Sequence, residues 1–447
     1  MPETRLYSER SYMNFKNKRL LILAGAHQHT KLVLAAQRLG AYTVVTDYLA
    51  DSPAKRVADK AYRIDIKDVP AIVEMCRDER IDGVLQGYID PCQRPYCRIC
   101  ESLSFPCYGT WDQFFALTDK HAFKKMCTEC GVDTVPEYSP DIFGEPGGDA
   151  SVEYPVLVKP VDSRGSRGQS ICYSSDEVAS AMNAAKRESS NGDVLIEKYM
   201  GNKNEFQVTY FFIDGVPYLL RTADRHLGDI ALGLEKVGIC TVSPSVYTYD
   251  YLRETNARVM NMLKRLGIKN GPVFMQGFVD DGKFRFFDPG FRFPGGEYEA
   301  MFKEMTGIDI MSMMVEFALT GRITSPPIPE DAVFLGGRRV AILFPTVRDG
   351  VVTRIVGRDE ILADGHGVLF VNQKYYEGDR VEMSYNVNQR FAEIDVIGRD
   401  TADLVEKIRY IYDTMTVLDE RGGDMLFGKL DLAEIKPLPD KAHPEAL

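Results

Sequence analysis

The stretch Pro155-Val-Leu-Val-Lys-Pro-Val-Asp-Ser-Arg-Gly-Ser-Arg-Gly168 runs an apolar strand directly into a lysine and then into a glycine-rich loop. Gly165 and Gly168 lack a Cβ, so the backbone there can take positive φ and turn successive N–H groups toward one anion. Lys159 sets a mobile point charge beside them. That order suits a nucleoside triphosphate. It is not the P-loop pattern, in which GxxxxGK[ST] opens a helix.

Length and composition bound the rest. The chain has 447 residues, 45% hydrophobic and 27% charged, enough to bury large cores in about three domains. Its longest apolar runs are strand-sized, short of the ~20 residues that span a bilayer, and the first ten residues hold no apolar signal core. A cytoplasmic location without membrane contact is therefore expected. The formal net charge of −11 argues against a nucleic-acid partner. Any site for ATP, itself an anion, must be basic against that background.

The first part of the chain alternates strands and helices. Arg19 to Ala24 reads as a buried strand, Thr30 to Leu39 as a helix closed by Gly40, Tyr42 to Asp47 and Ile81 to Leu85 as further strands. Such alternation implies a parallel sheet. The turn after the first strand, Ala24-Gly-Ala-His-Gln-His29, has one glycine where the dinucleotide fingerprint needs three, which argues against NAD. His27 and His29 read as loop or substrate-pocket residues. Of nine cysteines, four form the pairs Cys97/Cys100 and Cys127/Cys130, whose inner gap of 26 residues is long for a zinc site. Both pairs fall in helical segments and read as reduced thiols.

Further along, Val194-Leu-Ile-Glu-Lys-Tyr199 is a second apolar strand ending in charge, and Glu205 stands just beyond a turn. Lys283-Phe-Arg-Phe-Phe-Asp-Pro-Gly-Phe-Arg-Phe-Pro-Gly-Gly296 ends a strand with Asp288 and Arg292. In this order and at these spacings the sequence resembles the ATP-grasp superfamily. The likeness covers most of the chain and is strongest to biotin carboxylase, the large subunit of carbamoyl-phosphate synthetase and the L-amino-acid ligases. It implies an α/β fold: an N-terminal parallel α/β domain over 1–110, a two-lobed ATP-grasp domain over 111–325 and a small β-rich domain over 330–440. Ser325-Pro-Pro-Ile-Pro329 reads as the stiff linker before the last.

The resemblance also assigns residues. Asp119-Lys120 matches the family's helix-start pair, so Lys120 would reach the same phosphates as Lys159, with Gly165, Ser166 and Gly168 around them. Glu197, Lys198 and Tyr199 would form the adenine hinge, and Glu205 would accept the ribose hydroxyls. Gln276 and Asp288 would hold Mg²⁺. Two residues beyond Asp288, the common Glu-x-Asn-x-Arg motif has Asn where this chain has Gly290, which removes one side-chain ligand. Arg292 matches the motif's arginine, which holds negative charge developing on an acyl phosphate or tetrahedral intermediate. Glu297 and Glu299 are candidates to orient it or to bind an amine. Asp224, Arg225 and His226 fall in the segment that lines the acceptor site in relatives, and Arg225 could pair a substrate carboxylate.

The expected activity is ATP-dependent ligation of a carboxylate to an amine, an amino acid foremost, through an acyl phosphate, with ATP and Mg²⁺ as cofactors. The partners are then small molecules, and a homodimer is compatible with the resemblance. Two alternatives stay open: phosphorylation of bicarbonate, as in carboxylases and carbamoyl-phosphate synthetase, and a nucleotide-binding protein without catalysis, for which Gly290 is the main argument.

Overall fold

Four consecutive apolar residues, Leu20 to Leu23, are wholly buried and make up most of the first strand, Arg19–Leu23 (β1). The computed structural model describes residues 14–144, 151–161, 168–189, 192–201, 205–235, 237–296, 298–324, 326–363 and 365–439. In it β1 joins Tyr42–Thr46 (β2), Lys60–Tyr62 (β3) and Gly83–Gln86 (β4) in a parallel sheet of order β3-β2-β1-β4. Parallel strands buried on both faces need helices as cover. His29–Arg38 (α1), Val69–Asp78 (α2) and Gln93–Leu103 (α3) share one apolar core with them. The fourth strand begins two residues later than its apolar run suggests. Arg80 has φ +53° and the Ile81 N–H still bonds Cys76 O, so that stretch is closing α2.

Lys120–Glu129 (α4) starts at Asp119, whose carboxylate accepts the Ala122 N–H at 2.8 Å. A small antiparallel sheet follows, made of Glu137–Tyr138 (β5), Val156–Pro160 (β6), Ser170–Cys172 (β7) and Val194–Lys198 (β8), in the order β5-β8-β6-β7. Ser175–Glu188 (α5) covers one face, placing Val178, Ala181 and Ala185 against Val156, Val158 and Ile196.

The largest element is an eight-stranded antiparallel sheet. It holds Glu205–Ile213 (β9), Val216–Leu227 (β10), Gly238–Ser243 (β11), Gly271–Asp280 (β12), Lys283–Gly290 (β13), Arg339–Leu343 (β14), Val368–Gln373 (β15) and Ala392–Gly398 (β16). Their order is β13-β12-β9-β10-β11-β14-β16-β15. All nine residues of β9 are buried, as a central strand covered on both faces requires. The β9–β10 hairpin turns at Asp214 and Gly215, both at positive φ, which matches the twist of its strands. The sheet continues through the expected linker region: β14 pairs antiparallel with β11, and β16 and β15 extend it. The C-terminal strands thus share a sheet with the central ones while packing a second apolar core.

Ile310–Thr320 (α6) is buried along ten of its residues and packs against α1 and β4, linking the first sheet to the central mass. Thr401–Thr414 (α7) buries Leu404, Ile408 and Ile411 against β16. Among the described residues no helix is long and apolar enough to cross a membrane.

Candidate active site

A cleft of about 530 Å³ is walled by β6 and β8 of the small sheet, by β12 and β13 of the large one, and by the start of α4. Lys120, Lys159 and Glu197 line it, as do Lys198, Tyr199 and Glu205. Gln276, Asp288 and Arg292 line it too. Gly168 has φ +67° and is followed by Gln169 in the cleft wall. Gly165 and Ser166 lie outside the described residues.

Lys159 and Glu197 are both nearly inaccessible, at 3% and 2% exposure, and form an ion pair. Strands β6 and β8 are antiparallel neighbours, so these side chains meet on one face. Lys124, one helical turn after Lys120 on α4, places its ammonium 2.5 Å from the other Glu197 oxygen and 3.1 Å from Val135 O. Burial pushes the Glu197 carboxyl up, but Lys159 and Lys124 outweigh it and leave it below the ordinary range. The side chain of Glu197 is therefore a counter-charge shared by two lysines. A phosphate arriving at Lys159 meets an ammonium already held in place.

Part of the backbone in the expected hinge is engaged within the sheet. Strand β8 lies between β5 and β6, and the N–H groups of Lys198 and Tyr199 are taken by Pro136 O and Pro155 O. The Lys198 ammonium turns to Glu153 at 2.5 Å. Met200 and Gly201, directly after Tyr199, line the cleft as well. Glu205 differs as well: its buried carboxylate is held by Arg225 at 2.5 Å, from the facing position on β10. Arg225 thus has a partner within the protein. At the start of α4 the helix end is filled by the Asp119 carboxylate, so attraction for an anion there comes from Lys120 rather than from bare N–H groups.

Gln276 and Asp288 face each other across β12 and β13. Burial pushes the Asp288 carboxyl above its ordinary range; Lys120 pulls it back, Asp90 adds to the rise, and Arg292 and Lys159 oppose it. Four charged groups, three of them from distant segments, thus act on one carboxylate. Glu205 is also raised, by burial first, and Asp288 adds to it. Among the described residues no group of three or more His, Cys, Asp or Glu could hold a metal alone. An amide and a carboxylate in register beside a phosphate site still fit Mg²⁺, which keeps several waters and takes phosphate oxygens. Gly290 has a steric reason. A Cβ there would come within 2.2 Å of the Phe274 ring, which sits directly opposite on β12.

That ring also carries Arg292, whose guanidinium lies 4.8 Å above its centre. Arg292 donates Nε and Nη2 to the two oxygens of Asp90 at 2.6 and 3.0 Å, and Nη1 to Phe293 O at 2.9 Å. Asp90 follows β4, beyond the C-terminal edge of the parallel sheet, where ligands collect in α/β folds. That placement, with Lys124 at i+4 from Lys120, is the signal by which both residues were open to detection.

The remaining candidates fall elsewhere. Glu299 acts on Arg221 and Tyr298, and Glu297 lies outside the described residues. Asp224 binds Ser245 Oγ and the Val246 N–H, and His226 lies 3.2 Å from Glu434, so both tie segments together. His29 is buried edge-on against Tyr88, and His27 meets the Asn372 side chain at 2.6 Å. All nine cysteines are free thiols; Cys97 and Cys107 both point at Gly109 O.

The matches to known proteins follow the same lines. Residues 119–324 match the family described as carbamoyl-phosphate synthase L chain, ATP binding domain, and this places them in the ATP-grasp superfamily. The chain is 25% identical over 328 residues to the 2-oxoglutarate carboxylase small subunit of Hydrogenobacter thermophilus, covering 68% of this chain and 67% of that one. It is 29% identical over 206 residues to the formate-dependent phosphoribosylglycinamide formyltransferase of Haloquadratum walsbyi, covering 44% of this chain and about half, 51%, of that protein. In fold it is similar to L-amino acid ligase from Bacillus licheniformis, with a TM-score of 0.72 at 18% identity over 91% of this chain and 99% of that one.

Proposed function

We propose that the chain is an ATP-dependent carboxylate–amine ligase. The observation that supports it is the convergence on Asp288 of Lys120, Lys159, Arg292 and Asp90 within one cleft. A substrate carboxylate and a triphosphate repel each other by several kcal/mol at close range, on the order of 4 at 4 Å near a protein surface. Lys120 and Lys159 offset that charge. Gln276 and Asp288 are the residues that would hold Mg²⁺, which neutralises phosphate charge when bound.

In the reaction, an oxygen of the substrate carboxylate attacks the γ-phosphorus of ATP. The bond to the bridging oxygen breaks and ADP departs, leaving an acyl phosphate. An amine then attacks the acyl carbon, phosphate leaves, and the amine gives up a proton to form the amide. Arg292 keeps two N–H donors beyond its bonds to Asp90 and Phe293, which suits it to the oxyanion at that carbon.

Trapping with hydroxylamine tests this reading. Incubated with ATP, Mg²⁺ and a panel of carboxylates, the protein is expected to release ADP and form a hydroxamate with at least one acid. Absence of both across the panel overturns it. The match to a carboxylase subunit over 68% of the chain favours one second reading, phosphorylation of bicarbonate. ADP release with bicarbonate as the sole acid would select it.

A further inference from the structure

Next to Glu205, which lines the cleft, two arginines converge on one glycine. Arg225 on β10 and Arg390, just before β16, both press against Gly238 at the start of β11. A Cβ on Gly238 would lie 2.8 Å from Arg225 Nη2 and 2.9 Å from Arg390 Nη2. Only a residue without a side chain admits both guanidiniums there.

The two cations are held differently. Arg225 is ion-paired to Glu205. Arg390 donates Nε to Gly238 O at 3.0 Å and lies 4.0 Å over the Phe344 ring, but no carboxylate comes within 4 Å of it among the described residues. Burial, and then the charge of Arg225, push the Arg390 guanidinium down to about 9, while Glu393 and Glu205 act on it from farther off. Lys374 is a third cation, bonded to Asn388 and itself lowered by burial and by Arg390. Two like charges brought together at a half-buried position, one of them without an ion pair among the described residues, call for an anion from outside. Arg225 lines the cleft and Val387, three residues before Arg390, does too, so such an anion enters by the cleft.

We propose that Arg225 and Arg390 form a second anion subsite, which binds a compact anionic group, carboxylate or phosphate, carried by the amine substrate. This rests on the ligase reading. The acid to be phosphorylated belongs beside Asp288 and Arg292, with the nucleotide phosphates at Lys120 and Lys159. Arg225, opposite Glu205 on β10, and Arg390 are none of these residues and would serve the second substrate. The acceptor is then an amino acid or a phosphorylated amine rather than a simple amine.

The full chain with ATP, Mg²⁺ and an accepted acid is assayed with each amino acid beside its amide, and with O-phosphoethanolamine beside ethanolamine. Amines bearing the anion are expected to be used at least about tenfold better in kcat/KM than their neutral counterparts. Whether amino acids or the phosphoamine lead tells which anion the subsite takes. In Arg390→Met that preference should collapse through a rise of about 10- to 100-fold in KM for the anionic amines, with hydroxamate formation from the acid unchanged. Equal use of charged and neutral amines by the wild type, or an equal loss for both in the variant, overturns the proposal. Inorganic sulfate gives a readout independent of turnover. With a non-hydrolysable ATP analogue saturating, wild type should bind sulfate at least about fivefold more tightly than Arg390→Met, and the analogue itself should bind both alike. Equal sulfate affinity, or weaker analogue binding in the variant, overturns the subsite even if no hydroxamate forms. A missing hydroxamate with this sulfate difference intact would defeat only the ligase reading.

Discussion

Arg292 and Asp90 form a two-bond fork between the end of the large sheet and the loop after the first one, with N–O distances of 2.6 and 3.0 Å. A planar guanidinium gripped at two points cannot rotate, and the Phe274 ring beneath it blocks a slide out of plane. The strand that bears Asp288 is thereby fixed to the segment that bears Asp90. A group meant to act on developing charge is held in position before that charge appears.

Removing the arginine and removing its clamp should therefore differ. Arg292→Met is expected to lower kcat by roughly 10²-fold or more with nucleotide affinity nearly intact, the scale of losing one oxyanion stabiliser. Asp90→Asn keeps one of the two bonds and the aromatic support, so a fall of about tenfold is expected. Steady-state kinetics with nucleotide titrations separate the two; equal losses would show that Asp90 does more than hold Arg292.

Glu197→Gln leaves Lys159 and Lys124 buried without their shared counter-charge. A loss on the order of 3–5 kcal/mol in unfolding free energy is expected, since one member of a buried ion cluster is removed. Because the fold holds the Glu197 carboxyl below its ordinary 4.5, its contribution is present above that pH and lost as pH falls through the lowered value. Urea unfolding across the acid range should show this acid-side loss in wild type and a weaker one in the variant. Saturating ATP should recover part of the deficit if its phosphates meet Lys159.

For Asp288 the sign is opposite. Burial lifts its carboxyl above the ordinary 3.8, so the fold keeps a proton that the unfolded chain has lost. That contribution is complete below 3.8 and lost as pH rises through the raised value. Asp288→Asn has no such loss. Its stability should gain on wild type between about pH 4 and about pH 7 without nucleotide, while its Mg²⁺ requirement rises and kcat falls sharply. Urea midpoints at the two pH values and a Mg²⁺ titration of ADP release check both halves.

Gly290→Asn restores the side chain that the Glu-x-Asn-x-Arg pattern contains, yet it should destabilise by about 1–3 kcal/mol because its Cβ meets the Phe274 ring. Adding Phe274→Ala should cost less stability in Gly290→Asn than in the wild-type background, because the clash is gone, and should loosen Arg292. Thermal melts and kcat of wild type, the two single variants and the double variant give the comparison. A stable Gly290→Asn variant would remove the steric explanation for Gly290.

Much of this protein was legible in its sequence wherever the cause was local. The Asp119 cap that starts α4 at Lys120, the Asp214-Gly215 turn and the buried run of β1 each follow from residues within a turn or a strand of one another. The lysine that ends β6 and the Asp288–Arg292 spacing also read directly, because a strand of known direction carries its side chains at a fixed repeat.

Partnership was not legible, since it depends on which segments the fold brings together. Glu197 lies 38 residues from Lys159, and Asp90 lies 202 from Arg292. Strand order set the first meeting, since β8 beside β6 made Glu197 a counter-ion, and the contact of the loop after β4 with the segment after β13 set the second; β11 beside β10 likewise put Arg225 against Gly238. The sequence by itself determined the local structure that carries Lys120, Lys159, Asp288 and Arg292. Tertiary structure alone decided which of those charges are already neutralised, because Coulomb energy depends on distance and burial in space, and separation along the chain specifies neither.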